Sequence, residues 1–510
     1  MISDLSRRSL IGLSASAATL PLWPLSAPAA PSGALDLTAE TRTLEVNGKA
    51  ARVFGLRGPD GKPGLTLAPG ERFRVDLANQ AGAPTIIHWH GQTPPWKQDG
   101  FPWPQTPPIA AGASRQFDFA PIPGTYWMHS HQGLQEQSLM AAPLIVRSAT
   151  EISEDRQEIV LMLHDFSFRS PDDLFADLTR MSGGAVHQDV RQTENMPAPS
   201  HSASMTGMAM DSTPGMAMNK ADTTGTASPS GTAGMTMDLN DIRYDAFLAN
   251  DRTLDDPAVV RVGKSGRLRL RVINGAASSQ FWIDLGRLTG RVVAADGHDV
   301  HPVPGQRFPI AIAQRLDILI DLPRASGAFP VTAILEGTNR RTGMILATQG
   351  ATVARVSDAA PAEAPPVDNS LEMRLVATRP LQPRRADLVH TIALAGGMQP
   401  YRWSLDGQYW PRITPLMLER GQRVEIDLVN QTTMAHPMHL HGHSFQVIAL
   451  DGRKIAGAMR DTVLVPGRKG SRVRIAFEAD NPGRWAFHCH NLYHMAAGMM
   501  TEFRYRGIAV

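Results

Sequence analysis

The sequence predicts an all-β chain of three related β-sandwich domains, and three observations predict it. A strand pattern recurs three times, from Gly70 to Asn79, from Gly266 to Asn274 and from Gly421 to Asn430. Each copy alternates polar and apolar residues and stops at Asn, the pattern of a strand buried on one face. A longer repeat ties the first copy to the third: Pro123 to His131 matches Pro482 to His490, and Ile87 to Gly91 matches Met438 to Gly442. Finally, 44 Gly and 39 Pro among 510 residues divide the chain into short strands with few helical runs, as in sandwiches.

From the N-terminus, residues 1–29 read as a twin-arginine export leader. Ser6-Arg7-Arg8-Ser9-Leu10-Ile11 opens it, a weakly apolar run follows from Leu10 to Leu22, and Ala27-Pro28-Ala29 offers a small-x-small cleavage site. The apolar run is shorter than the ~20 residues of a membrane span, and no later stretch qualifies, so the processed chain is expected to stay out of the membrane. Residues 34–148 are the first expected domain, 149–355 the second, and 371–510 the third, with 356–370 as an Ala/Pro-rich linker. Inside the second, Ser170 caps a helix that begins at Pro171 with Asp172 and Asp173 in its first turn. The stretch 196–239 is rich in Met, Gly, Ser and Thr and has almost no bulky aliphatics, so it cannot bury a core and is expected to be disordered. A net charge of +2 argues against nucleic acid or an anionic membrane as partner, and a single cysteine rules out an intrachain disulfide.

The chemistry is carried by histidines. Four His-x-His pairs (His88 with His90, His129 with His131, His439 with His441 and His488 with His490) lie in the first and third domains, and the middle domain has none. Period two puts both rings of a pair on one sheet face. Eight imidazoles divide as three, three and two, enough for three copper ions with positions left open. Cys489 stands between His488 and His490, with His494 and Met499 following and His436 upstream. A trigonal His₂Cys site with a weak axial Met is the blue-copper electron-transfer geometry. At the matching places the first domain has Ser130 for Cys489, Thr85 for His436 and Gln135 for His494, and only Met140 keeps the place of Met499. The mononuclear site therefore belongs to the third domain alone. His164, His187, His201, His298, His301 and His390 lack a partner at metal-ligand spacing and read as packed or solvated, His298 and His301 in a turn-like stretch. His443 reads as packing against the ligand run.

On these segments the chain resembles a three-domain multicopper oxidase. It is most similar to the bacterial copper-resistance (CopA-like) oxidases through His131 to Gln137, Asp172 to Met181, Val293 to Gly297 and Leu492 to Met495, though shorter than typical members. The resemblance implies three cupredoxin-like Greek-key sandwiches and four copper ions. It implies type 1 copper on His436, Cys489, His494 and Met499, and type 2 on His88 and His439. One type 3 copper falls to His90, His129 and His490, the other to His131, His441 and His488. Asp99, eleven residues after His88, takes the place of a proton-relay acid, while Met495 stands where some relatives carry Glu. The implied activity is a one-electron oxidation of Cu(I), and of phenols, coupled to four-electron reduction of O₂, with electrons taken up near the surface. The expected setting is a monomer in the periplasm. A laccase acting on an organic substrate and a copper-sequestering protein are the alternatives.

The stretch 196–239 repeats Gly-Met-x-Met three times. The repeats hold Met208 and Met210, Met216 and Met218, and Met235 and Met237, with Met205 just before the first. Thioethers are soft and select Cu(I), which suggests a copper-collecting arm. Deleting Met205 to Met237 is expected to lower oxidation of Cu(I) more than oxidation of a bulky phenol, measured as O₂ uptake. Equal loss on both substrates would reject the arm.

Overall fold

The computed structural model describes residues 33–180, 239–263 and 266–508. The leader lies outside the described residues. So do all the methionines of the expected copper-collecting arm: Met205, Met208, Met210, Met216, Met218, Met235 and Met237.

Each third of the chain builds two sheets. In the first, one sheet runs in the order Lys49–Arg57, Leu35–Val46, Phe73–Gln80, Ser114–Phe119, and the other Leu65–Leu67, Ala141–Val146, Gly124–Ser130, Ile87–His90. Phe73, Val75 and Leu77 of one sheet meet Trp89, Met128 and Leu144 of the other in a shared core. The repeated segment occupies the same place every time. Phe73–Gln80 lies parallel to Leu35–Val46 and antiparallel to Ser114–Phe119. Arg267–Asn274 does the same with Gln157–Phe166 and Arg315–Asp321, and Arg423–Asn430 with Leu388–Met398 and Arg472–Glu478. This mixed pairing, three times over, is the cupredoxin-like Greek-key sandwich.

The asparagine that ends each repeat has a physical task. Buried Asn79 accepts the Ala81 N–H at 3.0 Å and donates to the Ala83 and Ile109 carbonyls at 2.8 Å. Asn274 accepts from Ala276 at 3.2 Å and donates to Ser279 at 3.0 Å. Asn430 accepts from Thr432 and donates to Met434 and Pro466, all at 2.8 Å. The side chain thus satisfies the backbone where the strand turns out of the sheet. In the outer copies that turn leads directly to the histidine strands.

Alternation holds for Phe73–Gln80, but the middle copy is buried on both faces beyond Arg267. The reason is ion pairing. Arg269 and Arg271 both reach Asp317 Oδ2 at 2.9 Å, and Arg271 also donates to Thr125 of the first third at 2.9 Å. The polar face is covered by the neighbouring third instead of by water. Two further expectations meet the structure here. The helix runs Pro171–Arg180, with Ser170 Oγ accepting the Asp173 N–H at 3.1 Å. His298 and His301 lie on the strand His298–Gly305, not in a turn, because Val300 and Val303 point into the core. The 356–370 segment packs along the middle third, with the Val367 N–H on Glu336 Oε2 at 2.7 Å.

Asn274→Ala is expected to lower the unfolding free energy by about 1–3 kcal/mol, since it orphans a buried N–H and a buried carbonyl. A shift of the denaturant midpoint to lower concentration checks this.

Candidate metal centre

Two strand pairs, one from each end of the chain, bring the histidines together. Ile87–His90 pairs with Gly124–Ser130 and sets His88 opposite His129, while His436–Leu440 pairs with Arg484–Cys489 and sets His439 opposite His488. The two pairs face each other closely. The His88 ring stacks on His441 with centroids 3.9 Å apart, and His90 on His439 at 3.7 Å. All eight rings of the four pairs are buried.

Their donor atoms converge in overlapping groups: His88, His90 and His439; His90, His129 and His490; His131, His441 and His488. His88 and His439 reveal what the groups can hold. Each Nδ1 sits 2.8 Å from a backbone carbonyl, that of Asp99 and that of Asp461. A carbonyl only accepts, so Nδ1 carries a proton, and in the neutral imidazole that leaves Nε2 as a lone pair. Those two Nε2 atoms face each other at 3.4 Å. His441 Nε2 and His488 Nε2 come within 3.0 Å, with His488 Nδ1 held on the Cys489 carbonyl at 3.0 Å. Burial, then neighbouring rings, push His90, His129, His131, His441 and His490 well below the ordinary imidazole range, and His488 down to about 3. Neutral rings with lone pairs turned inward repel one another unless a cation lies between them. Imidazole nitrogens with their outer N–H groups anchored suit copper.

Acidic side chains do much of the anchoring. Asp99 Oδ2 accepts from His441 Nδ1 at 2.7 Å, and Asp99 Oδ1 lies 3.3 Å from His88 Nδ1. Glu136 Oε2 lies 2.6 Å from His129 Nδ1, and Asp461 Oδ1 lies 2.9 Å from His90 Nε2. Against the desolvation of burial, Arg315 holds the Asp461 carboxyl well below the usual carboxylate range. Only Asp99 of these three stood out in the sequence. Glu136 and Asp461 carry no periodic signal, because their partners lie on other strands.

A separate group is His436, Cys489 and His494. Cys489 Sγ is 3.7 Å from Nδ1 of each histidine, and the two Nδ1 atoms are 3.2 Å apart. Local structure places His494: Asn491 accepts the N–H groups of Tyr493 and His494 and opens the helix Leu492–Ala496. Burial pushes the Cys489 thiol up, so a thiolate here needs a cation beside it. Met499 is fully buried, and its carbonyl accepts the Cys489 N–H at 3.1 Å. All three side chains are buried. His494 Nε2 is capped by the Asp241 carboxylate at 3.0 Å, which Tyr401 and Asn491 also bond. Asp241 was not legible in the sequence, as it follows the Met-rich stretch with no spacing to any histidine.

The first third repeats this scaffold without its donors. Ser130 N–H bonds the Met140 carbonyl at 2.9 Å as Cys489 bonds Met499, and Met140 N–H bonds Gln135 at 3.1 Å as Met499 bonds His494 at 3.0 Å. In place of the metal-ligand set, Thr85 and Ser130 hydroxyls each donate to Gln135 Oε1 at 2.8 Å. The other described histidines have ordinary partners. His164 meets the Gly275 carbonyl, His298 meets Ser444, His390 meets Asp406 and His443 meets Tyr505, while His301 is exposed. His187 and His201 lie outside the described residues.

Comparison with known proteins agrees with this chemistry. Multicopper oxidase family descriptions match residues 38–151, 212–358 and 383–507. The chain is 31% identical over 475 residues to the multicopper oxidase MmcO of Mycobacterium tuberculosis, covering 92% of this chain and 86% of that protein. It is 26% identical to a copper resistance protein A homolog of Pseudomonas syringae pv. tomato, covering 95% of each. Its fold matches the crystal structure of a laccase from Botrytis aclada with a TM-score of 0.70 at 20% identity, covering 93% of this chain and 88% of that one.

The depressed rings set a pH dependence for the metal-free protein. Above the ordinary value of 6.5 both folded and unfolded states are neutral at these rings, and their contribution is fully present. Between 6.5 and the folded value of about 3 for His488, only the unfolded chain takes up the proton. Each such ring then subtracts about 1.4 kcal/mol of stability per pH unit. The urea midpoint of metal-free protein should therefore fall steeply from pH 7.5 to pH 5.5, and a flat profile would contradict the buried-ring geometry.

Proposed function

The chain belongs to the multicopper oxidase family and is an oxidoreductase that uses O₂ and a reductant, and from that premise we propose that it holds four copper ions and oxidises Cu(I). The observation that carries this is the pairing of one buried His₂Cys group with eight inward-facing imidazoles, joined by the single dipeptide steps from Cys489 to His488 and to His490. In this reading His436, Cys489, His494 and Met499 would hold type 1 copper. His88 and His439 bind type 2. His90, His129 and His490 bind one type 3 copper, and His131, His441 and His488 the other. Bound copper supplies one-electron uptake at the cysteine group and four-electron reduction of O₂ at the histidine cluster.

The chain's own residues do the rest. Cys489 links the two groups covalently, and its carbonyl fixes the His488 tautomer. Buried Asp99 holds His441 and keeps Oδ1 without a hydrogen-bond partner among the described residues, which suits it to pass protons to the cluster. The burial of His494 beneath the Asp241 carboxylate favours a small cation as reductant over a bulky aromatic ring pressed against a bare imidazole edge. The likeness to a protein named for copper resistance points the same way. The likeness to a laccase supports a second reading, an organic reductant. We read the protein as a periplasmic monomer exported through its twin-arginine leader, with domains at 34–148, 149–355 and 371–510. Among the described residues no helix is long and apolar enough to cross a membrane.

Copper-loaded protein is expected to carry four coppers per chain and to consume O₂ faster with Cu(I) than with a substituted phenol. The reverse order would favour the organic reductant, and bound Cu(I) without O₂ uptake would favour sequestration. Cys489→Ser should abolish the blue colour and reduce O₂ uptake to background.

A further inference from the structure

The middle third has no His-x-His pair, yet one of its side chains supports the histidine cluster. Arg315 begins the strand Arg315–Asp321 and is fully buried. Its guanidinium forks onto Asp461 of the last third, with Nη1 donating to Oδ1 at 2.7 Å and Nη2 to Oδ2. Its Nε donates to the Thr125 carbonyl of the first third at 3.3 Å, and the Tyr126 ring lies 5.6 Å from the guanidinium carbon. Asp461 in turn meets two rings. Its Oδ1 lies 2.9 Å from His90 Nε2, and its backbone carbonyl accepts from His439 Nδ1 at 2.8 Å. One guanidinium and one aspartate therefore join all three thirds and end on histidines from opposite ends of the chain.

The space around this pair is fully committed. Gly91, next to His90, has φ +87°, and a Cβ there would lie 2.5 Å from Arg315 Nη2 and 2.6 Å from Asp461 Oδ2. Glycine is required both by its backbone and by the pair it borders. A forked arginine fixes the plane of a carboxylate as well as its position, which a point charge does not. The plane matters here because His90 turns Nδ1, not Nε2, toward His129, at 3.4 Å. Its ring orientation therefore depends on what holds Nε2.

We infer that Arg315 is a positioning residue for the histidine cluster. Through Asp461 it sets the orientations of His90 and His439, so the middle third, which has no His-x-His pair, governs whether the cluster can be loaded. This rests on the copper reading above. A buried ion pair is weak evidence for stability alone, but partners behind metal ligands commonly change metal affinity or activity by about 10–100-fold.

The test compares copper-loaded wild type, Arg315→Met, Arg315→Lys and a remote control, Arg423→Met, which removes the buried guanidinium paired with Glu478. The readouts are copper per chain, the blue thiolate-to-copper band, the near-ultraviolet band of the paired coppers, and turnover. Arg315→Met should keep the blue band, lose cluster copper and the near-ultraviolet band, and turn over about 10–100-fold more slowly. Arg315→Lys keeps the charge without the fork and should fall between. Arg423→Met should lower thermal stability with the ratio of the two bands unchanged. If Arg315→Met does not fold, the band ratio of Arg315→Lys decides alone. A wild-type band ratio and copper content in the folded Arg315 variants overturns the inference, and so does a parallel loss of both bands. A wild-type chain without four coppers overturns the underlying reading, and the inference with it.

Discussion

Two bare ring nitrogens, His88 Nε2 and His439 Nε2, face each other at 3.4 Å from opposite ends of the chain. Neither can turn away, because each Nδ1 is held on a backbone carbonyl. Burial withholds the water that would otherwise relieve the repulsion. The first and last thirds are thus closed against each other around lone pairs that only a cation reconciles. Metal affinity and domain closure become one equilibrium, in which any ion bound by the folded state stabilises it.

The first and last thirds also separate scaffold from chemistry. The hydrogen bonds of Ser130 with Met140, and of Met140 with Gln135, reproduce those of Cys489 with Met499 and of Met499 with His494. The same backbone serves a hydroxyl and amide network in one copy and a thiolate–imidazole group in the other. Three side chains make the difference, at Thr85, Ser130 and Gln135. The middle third shows a third use of the same sandwich. Among its described residues none joins the copper-ligand groups; its buried Arg271 instead bonds the Thr125 hydroxyl of the first copy, and its buried Arg315 pairs with Asp461 of the last.

The legible part of this molecule is what repeats locally. Period two puts His88 with His90 and His488 with His490, and the recurrent Asn at 79, 274 and 430 marks where a strand must turn. The lone Cys489 among histidines carries its chemistry in plain spacing. The anchoring groups were not legible, since Glu136, Asp241 and Asp461 meet their histidines only through the fold. The same applies to Arg269 and Arg271, whose alternation reads as a solvent face until Thr125 and Asp317 cover it. His298–Gly305 reads as a turn because of its Pro and Gly, yet its valines make it a strand. No local pattern announces the Asp241 carboxylate beside His494 either.

The inward lone pairs require copper between them. Anomalous diffraction at the copper edge on crystals of copper-loaded protein measures it most directly. Four copper peaks are expected, one against Cys489 Sγ between His436 and His494, and three among the eight His-x-His rings. Copper bound only at surface sites, with the rings around His88 and His439 free of metal, would contradict this.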